Sequence, residues 1–349
     1  EEGDERVAVC RVVRADAYGN GMGGCARAAL GGGASWLAVA TASEAFELRS
    51  HFERTPILCM GALTDPELDV ALGAGAEIGV WRPEFLEHVA SVGAAMGRRP
   101  RVHVKYDTGM GRLGSFDRDR VLEMVEVAAR EERLELAGLW THFATADQRD
   151  STYFDEQLES FESMVAEVHD RYPDVLVHAA NSAATLREPR SHFDMVRCGI
   201  AVYGLDPFGT DPAHHGLQPV MGLSSYIAEI KRFEAGRSAG YGRSWRAERD
   251  TDVAVVPIGY GDGVRRALGN RAKVLIGGAR YPVVGTVSMD NLTVNLGPGS
   301  DAEVGDEVVL LGSRGEGRIL AEEWAELLET INYEVTCGIG PRVPRLNRR

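Results

Sequence analysis

Lysine is scarce in this chain of 349 residues, because only Lys105, Lys231 and Lys273 stand among its 38 basic residues. Any chemistry that needs a side-chain primary amine is therefore confined to these three positions. A compositional preference for arginine accounts for the scarcity without a functional cause. It nevertheless leaves few candidates for any reaction of an amine.

Long apolar segments are also absent, since no run approaches the roughly 20 residues that a membrane-spanning helix needs. The cysteines are few, odd in number and without a Cys-x-x-Cys pair; they are Cys10, Cys25, Cys59, Cys198 and Cys337. This spacing argues against a disulfide framework and against a zinc site, and it favours the reducing cytoplasm. No metal is expected.

Positive charge is in deficit, with 52 acidic residues and a formal net charge of −14. An acidic surface repels nucleic-acid phosphates on average, so a nucleic-acid partner is not expected. A small phosphorylated ligand is compatible with this charge, because a few local donors are enough to hold it.

Short β-rich segments alternate with helical segments through the first two thirds of the chain. The predicted strands are 7–13, 37–40, 57–60, 77–80, 102–105, 136–141, 175–179 and 195–202. The predicted helices between them are 22–30, 43–50, 66–72, 82–96, 118–128 and 154–172, with Ser43 as one N-cap. Such alternation indicates a parallel sheet covered by helices, and eight units favour a (β/α)₈ TIM-type barrel over an open sheet.

The pattern changes after about Gly222, where short strands follow one another with glycine-rich turns. The predicted strands are 224–233, 252–257, 272–276, 281–287, 292–296 and 307–311, and one late helix covers 320–330. This pattern predicts an α/β barrel domain at 1–222 followed by a mostly antiparallel β domain at 223–349.

Polar side chains cluster where the predicted barrel strands end, which is where barrels carry their functional groups. In chain order they are Arg14 and Tyr18, Lys105 and Arg112, His142, Asn181 and Ser182, and Arg197, Gly199 and Ile200. Taken singly, a histidine here is more often structural and an arginine more often an ion-pair partner. Five of eight strands ending in this way favour a site for an anionic ligand. Ser182 and the amides of Gly199 and Ile200 suit a phosphate.

Further motifs lie in the second domain. Tyr241 and Tyr260 each stand between two glycines, Met289 precedes Asp290, and Tyr333 follows an asparagine. In this order, on this alternation of elements, the motifs of both domains resemble the alanine racemases, which use pyridoxal phosphate (PLP) on a barrel fold. The resemblance covers almost the whole chain.

The resemblance implies roles for these positions. The residues that match cofactor-binding positions are Tyr18, Asn181, Ser182, Gly199, Ile200 and Tyr333, with Arg197 facing the pyridine nitrogen and Arg112 the phenolic oxygen. Lys105 matches a lysine that is often carbamylated, and His142 matches the partner of a catalytic tyrosine, Tyr241. Tyr260, Met289, Asp290 and Arg112 match substrate-binding positions. The expected substrate is a small amino acid, with alanine as the leading candidate. The resemblance also implies a head-to-tail homodimer in which Tyr241 reaches the partner's barrel.

One position breaks this resemblance. Arg14 stands where the family has the lysine that binds PLP covalently. That lysine is also one of the two acid–base groups that the family's mechanism needs, on opposite faces of the cofactor. Deprotonating the guanidinium of Arg14 at pH 7 costs roughly 8 kcal/mol, and the neutral side chain would still be a poor nucleophile. Lys231 and Lys273 fall in the second domain, and Lys105 is expected to be occupied with Arg112. We therefore expect noncovalent PLP, with Arg14 at most a weak base or a cofactor contact, and strongly depressed racemisation.

Alternatives remain at this point. A non-catalytic protein that binds PLP or an amino acid needs none of the retained groups Tyr241, Arg112, His142 and Arg197. A different PLP reaction with noncovalent cofactor is compatible with Arg14, and so is an engineered change in an otherwise active racemase. A decarboxylase of the related barrel-plus-β group fits less well, because the contexts of Tyr241 and Tyr260 favour the racemase branch.

Overall fold

Eight parallel strands and their helices make up the first of two units in the computed structural model, which describes residues 7–346. The first unit holds the described residues up to Ala17 and Gly21–Val202, and the second holds Tyr18–Asn20 and the chain from Tyr203 onward. The domain boundary predicted at residue 222 stays a prediction. No helix within residues 7–346 has the length and apolar character to cross a membrane.

The first unit is the predicted barrel. Its strands are β1 (Ala8–Val12), β2 (Trp36–Val39), β3 (Ile57–Cys59), β4 (Glu77–Val80), β5 (Arg101–Lys105), β6 (Glu135–Trp140), β7 (Leu176–His178) and β8 (Met195–Cys198). They pair in parallel in sequence order, and β8 pairs with β1. Backbone bonds from Asp194 N to Val177 O (3.1 Å) and from Arg197 N to Ala180 O (2.8 Å) join β7 to β8. The predicted (β/α)₈ architecture is confirmed.

Helices lie between these strands. They are α1 (Arg14–Gly19), α2 (Met22–Gly31), α3 (Ala42–His51), α4 (Asp65–Gly73), α5 (Pro83–Ala95), α6 (Arg118–Arg130), α7 (Thr152–Arg171) and α8 (Ser182–Arg187). The expectation that Ser43 caps α3 was wrong. Thr41 is the cap, because its hydroxyl accepts from Glu44 N at 3.3 Å while Glu44 Oε2 accepts from Thr41 N at 3.1 Å. This reciprocal pair is a capping box, and it starts the helix one residue before Ser43.

The second unit contains the predicted antiparallel sheet. Its strands are β9 (Leu223–Tyr226), β10 (Glu229–Phe233), β11 (Ser238–Ala239), β12 (Trp245–Arg246), β13 (Thr251–Val256), β14 (Lys273–Ile276), β15 (Ala279–Val284), β16 (Leu292–Gly297), β17 (Glu307–Arg314) and β18 (Gly317–Ile319). The main sheet has the order β10-β13-β16-β15-β14-β17-β18, and β9 pairs with β17. Two helices follow, α9 (Ala321–Leu328) and α10 (Asn332–Cys337).

Two predicted strands are interrupted in the structure, and the predicted segments 281–287 and 307–311 each end three residues away from the ends of β15 and β17. The segment 224–233 is divided into β9 and β10, because Ile227 N donates to Asp306 O while Ala228 N donates to Val255 O, so the chain changes its pairing partner there. The segment 195–202 ends as a strand at Cys198. A 3₁₀ helix, Ile200–Tyr203, follows it. The short α1, α8 and α10 and the hairpin β11–β12 were not predicted.

Candidate functional site

The carboxyl ends of the barrel strands bring five predicted site residues into one region of the first unit. Burial lowers the pKa of His142 well below its ordinary value, and the charges of Arg197, Lys105, Arg112 and Arg14 lower it further. Part of His142 reaches the surface, but protein surrounds it densely enough for desolvation to be the largest cause. Four basic side chains, which lie in or after three barrel strands, thus act on one neutral imidazole.

Arg197 is the most firmly held of these cations. It is 3% exposed, and its Nη2 donates to the carbonyl oxygens of Thr141 (2.8 Å) and Ala179 (3.0 Å). The same atom lies 3.2 Å from Nδ1 of His142. Both hydrogens of Nη2 are directed at the two carbonyls, so His142 Nδ1 shares one of them as a second acceptor. Because a guanidinium only donates, Nδ1 is unprotonated and the proton of the neutral ring is on Nε2. The Nε2–H group of His142 is therefore the hydrogen-bond donor that this ring can present to a ligand or to another side chain.

Lys105 is the last residue of β5 and is 2% exposed. Its Nζ lies 4.3 Å from the ring centre of Trp140. Burial, followed by the charges of Arg197 and Arg112, lowers the pKa of Lys105 to about 7, while the carboxylate of Asp107 opposes this change. A substantial fraction of this amine is therefore neutral at physiological pH.

The predicted phosphate-binding residues of the barrel lie together after β7 and β8. Ser182 is 3% exposed, and its Oγ accepts the N–H groups of Gly199 (2.9 Å) and Ala201 (3.3 Å). Both lone pairs of the hydroxyl are then used, so its hydrogen is the group left to donate. Asn181 acts as the N-cap of α8 by accepting from Ala184 N at 3.0 Å, and Ile200 is fully buried.

Arg14 is exposed and begins a turn of unusual handedness. The next four residues, 15–18, have φ between 51° and 56°, although none is glycine. A left-handed conformation costs roughly 1–2 kcal/mol for each such residue. In the first unit, Glu44 Oε1 accepts from Ala15 N at 2.6 Å, and Asp16 Oδ1 accepts from Met22 N at 2.7 Å. These two carboxylates hold the turn that carries Arg14.

The second unit holds the predicted aromatic residues. Tyr18 is buried, and its ring centre lies 5.0 Å from Tyr203 and 5.9 Å from Tyr333. Gly19 follows, and Arg345 Nε donates to its carbonyl oxygen at 3.0 Å. Arg345 was not predicted as part of this cluster, because nothing in the sequence relates residues so far apart.

The remaining predicted residues form an exposed surface of the second unit. Tyr241, in the 3₁₀ helix Tyr241–Arg243, is 71% exposed. The loop of Tyr260 pairs with that of Met289, since Tyr260 N donates to Ser288 O at 3.0 Å. Asp290 Oδ1 accepts from Nη2 of Arg342 at 2.8 Å. The backbones of Tyr260 and Met289 are therefore adjacent, and Asp290 follows Met289 in the chain; the substrate-binding role of all three stays a prediction.

Sequence reasoning missed a chain of buried polar residues behind Arg197. Nη1 of Arg197 lies 2.9 Å from His178 Nδ1, His178 Nε2 lies 2.9 Å from His103 Nδ1, and His103 Nε2 lies 2.8 Å from Glu77 Oε2. Arg101 Nε contacts the other oxygen of Glu77 at 3.0 Å. The available signal was a charged or ionisable residue within three predicted barrel strands, at Glu77, His103 and His178.

The chain matches two family descriptions along its length. Residues 3–207 match "Alanine racemase, N-terminal domain", and residues 220–347 match "Alanine racemase, C-terminal domain". An alanine racemase of Symbiobacterium thermophilum is 41% identical over 335 residues, which are 96% of this chain and 89% of that protein. One of Frankia casuarinae is 41% identical over 345 residues, with 97% and 89% covered.

Solved structures agree with these relatives. The alanine racemase from D-cycloserine-producing Streptomyces lavendulae superposes with a TM-score of 0.92 at 38% identity, covering 97% of this chain and 90% of that one. The alanine racemase from Streptomyces coelicolor also gives a TM-score of 0.92 at 38% identity, with 97% and 91% covered.

Proposed function

Because this chain belongs to the alanine racemase family, we propose that it binds PLP noncovalently together with a small amino acid, alanine above all. The reaction that the site supports is exchange of the amino acid's α-proton. Full racemisation is strongly depressed, since Arg14 takes the position of the family's cofactor-binding lysine.

The observation that carries this proposal is the set of cations around His142. Arg14, Lys105, Arg112 and Arg197 all act on that imidazole, in a chain whose formal net charge is −14. Such a concentration of positive charge fits a ligand with several anionic groups. PLP offers a phosphate and a phenolic oxygen, and an amino acid adds a carboxylate. When bound, PLP supplies a carbonyl carbon for the amino group and a ring that takes up electron density.

The residues of the first unit fit this cofactor. The hydroxyl hydrogen of Ser182 and the backbone N–H of Ile200 would hold the phosphate, in agreement with the resemblance. The N–H of Gly199 already donates to Ser182 Oγ, and it would act by orienting that hydroxyl. Arg197 would face the pyridine nitrogen as a permanent cation and so disfavour protonation of that nitrogen. Arg112 would contact the phenolic oxygen. Tyr18 and Tyr333 are assigned to the phosphate by the resemblance.

Proton transfer is assigned to Tyr241 and His142. The N–H at Nε2 of His142 is a hydrogen-bond donor, and donation to a phenolic oxygen stabilises the deprotonated form of a tyrosine. Tyr241 is 71% exposed within its own chain. In the head-to-tail homodimer that the resemblance implies, Tyr241 of one subunit would serve the barrel of the other.

Arg14 cannot supply the second proton acceptor. A guanidinium stays protonated at neutral pH, and its charge is delocalised over three nitrogens. Tyr241 therefore acts without an opposing base, so protons are exchanged on one face of the amino acid. Arg14 itself holds an anionic group of the cofactor or substrate. No disulfide joins the cysteines within residues 7–346, which is compatible with the proposed cytoplasmic location.

Arg14 also favours a second, non-catalytic function. If Arg14 only holds the cofactor, the protein is a non-catalytic carrier of PLP or an amino acid. It differs from the first proposal in having no α-proton exchange.

The test is borohydride reduction of the PLP-loaded protein followed by peptide mapping, with the Arg14→Lys variant as matched control. Borohydride makes any bond between PLP and a lysine permanent. We expect PLP to bind the parent chain without a fixed label and to be fixed to the new lysine in the variant. Incubation of the parent with alanine in deuterated water should then place deuterium at the α-carbon. A label on Lys105 of the parent would contradict noncovalent binding, and absence of deuterium would favour the carrier.

A further inference from the structure

The loop between β5 and α6 closes on itself around one buried carboxylate. Asp107 N donates to Ser115 O at 2.9 Å, which joins the two ends of the loop. Asp107 is 3% exposed. Gly114 has a φ of +123°, and a Cβ there would lie 2.8 Å from the Asp107 Cβ. The loop therefore needs glycine at 114 so that its backbone can approach Asp107.

The Asp107 carboxylate accepts hydrogen bonds from a run of backbone N–H groups. Oδ1 accepts from Gly109 (3.0 Å), Met110 (2.7 Å) and Gly111 (3.1 Å), and Oδ2 accepts from Arg112 (3.1 Å). Successive N–H groups that converge in this way form a nest for an anion, and here the chain supplies the anion itself. Hydrogen bonds to an ionised acceptor are about twice as strong as neutral ones.

Two further hydrogen bonds join the same loop to neighbouring segments of the first unit. Tyr153 Oη donates to Gly109 O at 2.9 Å, and Thr108 Oγ1 lies 2.9 Å from Thr141 Oγ1, next to His142. Arg112, at the end of the run of N–H groups, is exposed, and its charge acts on both Lys105 and His142. The direction of the Arg112 side chain thus depends on a backbone that Asp107 holds.

We propose that Asp107 is a positioning residue of this site: by holding the backbone of residues 109–112, its carboxylate places the Arg112 guanidinium for an anionic ligand. This inference rests on the proposed function for the identity of the ligand, PLP. It does not rest on it for the role of the loop. Asp107 needs no contact with PLP.

The direction in which Asp107→Asn changes PLP binding distinguishes a positioning role of Asp107 from a purely electrostatic one. Asp107 is an anion close to a cationic site, so its charge alone opposes the binding of an anionic ligand. Replacing it with asparagine removes that charge, which by itself would strengthen PLP binding. It also turns an amide N–H₂ toward backbone N–H groups, which loosens the loop. If positioning dominates, PLP binding weakens.

The experiment is a double-mutant cycle on the PLP dissociation constant, measured by fluorescence quenching of the full-length protein. We expect Asp107→Asn to weaken PLP binding about tenfold when Arg112 is present, and by less than about twofold in an Arg112→Gln background. Asp117→Asn is the matched control, because Asp117 also accepts two backbone N–H groups, those of Asp119 and Arg120 in the first turn of α6, and asparagine caps a helix equally well. Unchanged or tighter binding by Asp107→Asn, or an equal loss in both backgrounds, would overturn the proposal.

Amide hydrogen exchange tests the loop without any ligand. In Asp107→Asn, the amides of residues 109–112 should exchange at least about tenfold faster, while those of α6 keep the parent rates. Unchanged exchange at 109–112 would overturn the role of Asp107 even if PLP failed to bind. Faster exchange in Asp107→Asn, together with a parent chain that binds no PLP, would support the role of Asp107 and refute the proposed function alone.

Discussion

Arg197 donates a hydrogen bond from Nη1 to Nδ1 of His178 over 2.9 Å. This contact fixes the direction of the hydrogen bonds behind it. His178 must carry its proton on Nε2, which donates to His103 Nδ1, and His103 must then donate from Nε2 to Glu77. Both imidazoles are neutral single-proton tautomers. The chain connects the buried guanidinium to a carboxylate on β4.

Glu77→Gln tests this chain of hydrogen bonds. The amide keeps the shape of the side chain but turns N–H₂ toward either Arg101 or His103, so that one donor faces another. We expect the free energy of unfolding to fall by about 1–3 kcal/mol, as for a buried donor without a partner. The measurement is urea unfolding at pH 7.

Glu135→Gln is the control for that prediction. Glu135 also pairs with Arg101, but its side chain is 42% exposed. A surface pair contributes about 0–1 kcal/mol, so this variant should stay close to the parent. Equal losses in the two variants would show that the orientation inferred for His103 and His178 has no energetic weight.

Lys105→Met tests the buried amine through the pH dependence of stability. The pKa of Lys105 is about 7 in the folded chain and about 10.4 when unfolded, so the unfolded state binds more protons between these values. The stability of the parent therefore rises with pH across this window. The Met variant lacks this penalty, and it should be more stable by about 2–5 kcal/mol at pH 6 and by less than about 1 kcal/mol at pH 10.

Unfolding by guanidinium chloride in carbon dioxide-free buffer, without added PLP, measures this difference and keeps the amine unmodified. A difference that stays constant from pH 6 to pH 10 would mean that Lys105 keeps an ordinary pKa in the folded chain.

Ala15→Gly tests the left-handed turn. Ala15 is exposed at φ 52°, a conformation that glycine adopts at no steric cost. Relief of strain should offset the entropy that glycine loses on folding, so the free energy of unfolding should change by about 0 to +1 kcal/mol. Ala28→Gly, at an exposed position of the right-handed helix α2, should lose about 0.5–1 kcal/mol. Equal losses at both positions, measured by thermal unfolding, would count against a strained turn.

The barrel was predictable because its strands are short, apolar and separated by amphipathic helices. Its β4 segment was predicted with the bounds that the structure gives, Glu77–Val80. The turn at residues 14–19 was not predictable, because its strain is balanced by Glu44, which is distant in sequence. No local preference of alanine or aspartate indicates four consecutive left-handed residues.

Within the site, motifs identified residues but not the partners that hold them. His103 fits the barrel because β6 has Gly138 opposite it, where a Cβ would lie 2.2 Å from His103 Nδ1. That requirement exists only after β5 and β6 are paired. Asp107 was likewise visible in the motif around Arg112, but its four N–H partners follow from the closed loop.

The rate of alanine racemisation, followed by circular dichroism with saturating PLP in the parent chain and in Arg14→Lys, tests the central claim most directly. Arg14 removes one of two acid–base groups, and such a group contributes about 10²–10⁴-fold to a rate. We therefore predict that Arg14→Lys racemises alanine at least about 10²-fold faster than the parent chain. Equal rates in the two proteins would contradict the account of Arg14.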